Sequence, residues 1–130
     1  MRDYKKEYEE RVAFIRDLLE KSSAKGIVYG NSGGKDSALV GILCKAACDN
    51  TVGIIMPCAS KRNFGQDAED ARIAADQYGI ETRFIDLTPV REAEMQQLSS
   101  LTEVTPAAAV NIAPRLRMTT LYAVAASEGR

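Results

Sequence analysis

The segment Gly30-Asn31-Ser32-Gly33-Gly34-Lys35-Asp36-Ser37 constrains this chain more than any other. It follows the β-prone run Ile27-Val28-Tyr29 and precedes an apolar stretch through Ala38, Leu39, Ile42 and Leu43 with helical spacing. A glycine-rich turn between a strand and a helix is where a chain can cradle an anion. Glycines let backbone N–H groups turn inward and approach closely. The helix that follows adds its first N–H groups and the positive end of its dipole. Ser32 and Ser37 add hydroxyl donors, and Lys35 adds a charge. Without a ligand, the same residues read as a Gly-Ser turn with an Asp opening a helix.

Two common nucleotide loops do not fit. The mononucleotide pattern G-x-x-x-x-G-K-[ST], ended on Gly34-Lys35, needs glycine at 29 and a hydroxyl at 36, where the chain has Tyr29 and Asp36. The dinucleotide pattern G-x-G-x-x-G fails at Ser32.

The rest of the chain supplies the frame. Tyr8, Val12, Ile15 and Leu19 follow a four-three-four spacing, widened by Phe14 and Leu18, which predicts an amphipathic helix ending near Ser22, Ser23 and Gly26. Helices are expected over residues 36–48, 66–78, 90–98 and 115–127, the second of the four stopped by Gly79. Strands are expected over 27–29, 51–56 and 82–85. Strand–helix–strand–helix–strand order means a parallel sheet with crossover helices, an α/β fold. At 130 residues the chain suits a single domain.

Composition excludes several classes of chemistry. With no histidine in the sequence, Ser-His-Asp and Cys-His pairs are ruled out, as is the commonest transition-metal ligand. Catalysis must lean on backbone amides, Lys, Arg, carboxylates and a hard cation. A net charge of −1 gives no global field toward nucleic acid or an anionic membrane. No apolar run is long enough to span a bilayer, and the charged first ten residues carry no signal-peptide core. Three irregularly spaced cysteines do not make a secreted disulfide framework, so a cytoplasmic protein is expected. Cys44 and Cys48 share a helix face and read as small packed hydrophobes. Cys58 falls at the carboxyl end of the second strand, where such sheets bind ligands. Lys61-Arg62 read as a solvated loop, and the carboxylates at 67, 69, 70 and 76 as the exposed face of their helix.

The run Ser32-Gly33-Gly34-Lys35-Asp36-Ser37 resembles SGGxDS, the loop with which N-type ATP pyrophosphatases hold the leaving pyrophosphate. Later segments narrow the resemblance to ammonia-dependent NAD synthetases. Met56-Pro57-Cys58 with Asp67-Ala68-Glu69-Asp70-Ala71, then Ile85-Asp86-Leu87-Thr88-Pro89-Val90, then NIAPRLRM from Asn111 to Met118 with Leu121-Tyr122, follow that family's order. The resemblance implies a three-layer Rossmann-like fold of the adenine nucleotide alpha hydrolase kind. It implies ATP as substrate with Mg²⁺, and amidation of nicotinic acid adenine dinucleotide by ammonia through an acyl-adenylate, with release of AMP and pyrophosphate. Gly30, Asn31, Ser32, Gly33, Gly34, Lys35, Asp36 and Ser37 would take ATP or pyrophosphate, with Asp36 as the Mg²⁺ ligand. Met56 and Gln66 would lie near adenosine, Arg115 would contact the dinucleotide, and Arg117 would be structural. A homodimer is implied, and neither nucleic acid nor membrane is an expected partner.

Two positions depart from the family pattern: Asn31 stands in place of an apolar residue and Pro114 in place of alanine. A helix begun upstream of Asn111 would be kinked or shifted by Pro114. Members are about twice as long, so the expectation is a single domain over residues 1–130, truncated on its C-terminal side, with the first strand left as an apolar edge. Two other readings stay open. The chain could be another adenylating enzyme with this loop, an amidotransferase or a tRNA-modifying enzyme. It could also be a non-catalytic nucleotide-binding remnant that needs a partner.

Overall fold

The computed structural model describes residues 3–58 and 63–130. Asp3 opens the first helix, α1 (Tyr4–Ser22), its carboxylate accepting from the Lys6 N–H. Ser23, left-handed at φ 60°, closes it. Then follow β1 (Ile27–Gly30), α2 (Lys35–Ala47) and β2 (Thr51–Ile55). One turn of π-helix (Asn63–Asp67) leads into α3 (Ala68–Gln77) and β3 (Glu81–Phe84). The chain ends with α4 (Thr88–Ser99), the short α5 (Pro106–Ala109) and α6 (Ile112–Glu128).

The three strands form one parallel sheet in the order β1-β2-β3, as the strand–helix alternation required. Beyond the strands the ladder runs on: Ile85 N–H donates to Ile55 and Leu87 N–H to Pro57. Parallel strands buried on both faces need apolar side chains on both, and every residue of β2 is buried. On one face Val52, Ile54, Met56, Cys58 and Leu87 form a cluster, packed by Val28 and by α6 through Ala113, Leu116, Leu121 and Val124. On the other, Tyr29 packs with Ala75 and Ile80, and Ile55 with Ala68 and Ala71. The Tyr29 ring fits there only because Gly41 and Gly53 lack side chains. Helix, sheet, helix: the arrangement is a three-layer α/β fold, with α1 packed outside α2. The Arg16 guanidinium joins these two helices by donating to the Ala46 carbonyl at the end of α2 at 2.8 Å.

Several expectations shift in detail. Phe14 and Leu18 do not widen the buried stripe of α1; they stand 63% and 50% exposed, while Val12 is buried. Gln66 lies in the π-helical turn and not in α3, which starts at Ala68. Gly79, at φ 66°, does end α3. Pro114 does no damage, because α6 starts at Ile112 and a first-turn proline forfeits no intrahelical N–H bond. Lys61 and Arg62 lie outside the described residues. Among the described residues, no helix is long and apolar enough to cross a membrane.

Opposite the loops that follow the strands, polar groups tie the chain together. Asn50 accepts from Ile27 N–H and from the Arg130 guanidinium, and its side chain donates to the Lys25 carbonyl. Lys25 N–H in turn donates to the Gly129 carbonyl at 2.7 Å. The end of α6 is thereby fixed to the start of β1 and β2, which sets where its first turns meet the far end of the sheet.

Candidate nucleotide site

At the carboxyl ends of β1 and β2 the structure opens a cleft of about 620 Å³. Its walls are the glycine loop (Gly30, Asn31, Ser32, Gly33, Gly34), the end of β2 (Ile54, Ile55, Met56, Pro57), the start of α3 and the first turns of α6. This is the position at which open α/β sheets take ligands.

The loop is held in shape by its own side chains. Asn31, 4% exposed, spends its amide nitrogen on the Ala71 carbonyl of α3 and accepts from Gly33 N–H with its oxygen. Ser32 N–H donates to the Ser37 hydroxyl, Gly34 N–H to the Ser32 hydroxyl, and the two hydroxyls lie 2.9 Å apart. The polar Asn31 at the end of β1 is therefore a fastening between loop and helix. Gly33 has φ 85°, a left-handed conformation that glycine adopts without strain. Gly34 precedes α2 without a side-chain cap, so the loop leads directly into a helix N-terminus.

The expected site residues separate into two groups. Gly30, Asn31, Ser32, Gly33, Gly34 and Met56 all line the cleft. Lys35, Asp36 and Ser37 occupy the first turn of α2 beside it, with Lys35 and Asp36 exposed. Gln66 is exposed and donates to the Asp70 carboxylate at 2.6 Å, reaching the cleft through that partner. Arg115 is exposed, its guanidinium turned back to the Asn111 carbonyl on its own helix.

Three residues were read differently in the sequence. Asp67 and Asp70, expected on a solvated helix face, line the cleft. So does Arg117, half-buried, with its Nε donating to the Met56 carbonyl at 2.9 Å. An i, i+2 pair on a helix must point in different directions, but only the docking of α6 on β2 decides which arginine faces inward.

Cys58 is not set up as a nucleophile. Burial raises its pKa, and the nearby Arg117 and Arg91 only partly oppose that. Cys44 is raised likewise, by burial and then by Cys48. As for a cation, no group of three or more His, Cys, Asp or Glu side chains is assembled among the described residues.

With the loop, the cleft and the sheet in place, the known proteins decide the relationship. The family model described as NAD synthase matches residues 7–130. The chain belongs to the NAD synthase family. An NH(3)-dependent NAD(+) synthetase of Finegoldia magna is 40% identical over 98% of the chain and 51% of its own length. The structure of an NMN synthetase from Francisella tularensis superposes with a TM-score of 0.90 at 29% identity, over 100% of this chain and 53% of that one. A glutamine-dependent NAD+ synthetase from Acinetobacter baumannii, in complex with ADP, gives 0.88 at 25% identity over 100% and 25%. This NAD synthase chain thus spans about half the length of the curated relatives it matches.

Proposed function

We propose that the chain supplies the ATP-binding half of an ammonia-dependent NAD synthetase. The observation that carries this is the SGGKDS loop, seated between β1 and α2 at the mouth of a cleft. The name of the Finegoldia relative supports ammonia as the nitrogen source, and the ADP-bound neighbour supports an adenine nucleotide.

In this reading ATP lies across the cleft. Its β and γ phosphates meet the loop and its adenosine lies near Met56, with Gln66 acting through Asp70. The nicotinate carboxylate of nicotinic acid adenine dinucleotide attacks the α phosphorus and expels pyrophosphate. Ammonia then attacks the acyl carbon, and AMP leaves as NAD forms. The loop's part is electrostatic: the amides of Ser32 and Gly34 and the start of α2 receive negative charge as it moves to the leaving group. Ser32 and Ser37 hydroxyls, which hold those amides, can exchange them for phosphate oxygens because a hydroxyl both donates and accepts.

Asp36 beside an anion site is repulsive alone. A single carboxylate fits Mg²⁺, which is usually bound by one or two carboxylates together with substrate phosphates. Asp36 would hold it, and bound there it would neutralise phosphate charge. Arg115, exposed at the start of α6, is assigned to the dinucleotide. A cytoplasmic homodimer goes with the same reading. A second acceptor is favoured by the NMN synthetase likeness: nicotinic acid mononucleotide in place of the dinucleotide.

The test uses the 130-residue chain alone and joined to the C-terminal half of the Finegoldia relative. Each is given ATP, Mg²⁺, ammonia and either acceptor. ATP binding by the chain alone is expected, with AMP and NAD formed in equal amounts by the joined protein. Absence of ATP binding in the first and of AMP in the second overturns the reading. Turnover with the mononucleotide only would select the second acceptor.

A further inference from the structure

We infer that Arg117 is the guanidinium that engages the nucleotide's phosphates in this cleft, a binding role resting on the ATP reading above. Among the described residues that line the cleft, Arg117 is the one basic side chain, and Asp67 and Asp70 line the same cleft. A polyanion held by backbone amides at one end still carries charge along its length, and the Asp70 carboxylate would repel it. Arg117 is built to offset this. It is half-buried, where a charge is less screened than on the surface, and its Nε is fixed on the Met56 carbonyl at the end of β2. A guanidinium carries five N–H donors in a planar fork, so anchoring Nε is compatible with gripping an anion. Met56 in turn touches the loop: a β-carbon on Gly30 would lie 3.2 Å from its terminal methyl. Arg117 and the loop are thus held in one packed unit, with the cleft beside it. Arg115, two residues earlier, is exposed and donates to the Asn111 carbonyl.

Glutamine separates the two functions of this side chain. In Arg117→Gln, Nε2 occupies the bond position of the arginine Nε and keeps a donor for the Met56 carbonyl, while the charge is lost. The 130-residue chain, its Arg117→Gln and Arg117→Lys variants, and Lys21→Gln are titrated with ATP, pyrophosphate and adenosine by calorimetry, with thermal melts as the check on folding. Arg117→Gln is expected to weaken ATP binding roughly tenfold or more, the scale of a charge-assisted bond, while adenosine binding and the melt stay unchanged. Arg117→Lys should recover part of the loss, and Lys21→Gln, on the exposed face of α1, should bind ATP as the parent does. Equal loss of ATP and adenosine, or full ATP affinity in Arg117→Gln, overturns the proposal and leaves Arg117 as an anchor for β2. A parent chain that binds neither ATP nor pyrophosphate overturns the ATP reading itself, and this role with it.

Discussion

Gly33 stands so close to the backbone carbonyl of Asp67 that a β-carbon on Gly33 would overlap the oxygen. The glycine loop and the π-helical turn before α3 therefore share one wall of the cleft, backbone against backbone. Gly79 offers the comparison, since it too has positive φ but nothing within 4 Å of where its β-carbon would be. Gly79→Ala should cost about 1 kcal/mol from the left-handed backbone alone. Gly33→Ala should cost more, because the loop must also move away from Asp67, and it should abolish ATP binding. Urea unfolding of both variants measures the difference. Equal losses would mean that the two segments separate freely.

Asn31 carries the second tie across the same wall. Its side chain bridges Gly33 N–H and the Ala71 carbonyl with almost no contact with water. Asn31→Leu would restore an apolar residue at the end of β1 but strand both partners, at about 1–3 kcal/mol. Asn31→Asp keeps the acceptor for Gly33 and sets a carboxylate against the Ala71 carbonyl. The aspartate variant should therefore be the less stable at neutral pH and recover as the acid protonates. Denaturant midpoints at pH 7 and pH 4 distinguish the two.

These two residues show where the sequence was legible. The loop's place could be read because glycines between a β-prone run and a helical stretch mark a strand-to-helix turn. The sheet could be read because three β-prone runs alternated with helical ones. What stayed hidden depended on which surfaces meet. Phe14 and Leu18 have the right spacing for the buried face of α1, yet α2 covers only the Val12 side. Asp67 and Asp70 look like solvent-facing acids in any helical projection, and they turn to the cleft only because α3 packs beside the loop. Asn31 read as a misfit because its partner Ala71 is forty residues away.

At the other end of the sheet, Glu128 gathers the Arg83 and Arg130 guanidinium groups from β3 and the last residue. Bonds from Arg83, then Arg130, hold its carboxyl below the usual glutamate range. A group whose pKa is lowered by folding stabilises the protein above its unfolded value. The contribution should be present in full above about pH 5 and fade as the pH falls through the lowered pKa. Glu128→Gln should lower the melting temperature at pH 7 and change it little at pH 2.5. Because the pair is solvent-exposed, 0.5 M salt should shrink the effect. A salt-independent loss that persists at pH 2.5 would point to packing of α6 instead.

Asp36 gives a prediction whose sign depends on the metal. The carboxylate stands exposed in the first turn of α2, beside a loop proposed to take phosphate. Without Mg²⁺ it repels the anion, so Asp36→Asn should bind ATP more tightly than the parent when EDTA is present. With Mg²⁺ the order should reverse, because only the parent can hold the ion against the phosphates. One titration series of both proteins, with EDTA and with millimolar Mg²⁺, reads both signs. If the variant is weaker in both conditions, Asp36 acts by opening α2 as a favourable charge at its N-terminus. If it is tighter in both, the ion is held elsewhere. Reversal of order between the two conditions is the outcome that requires Asp36 and the metal to act together.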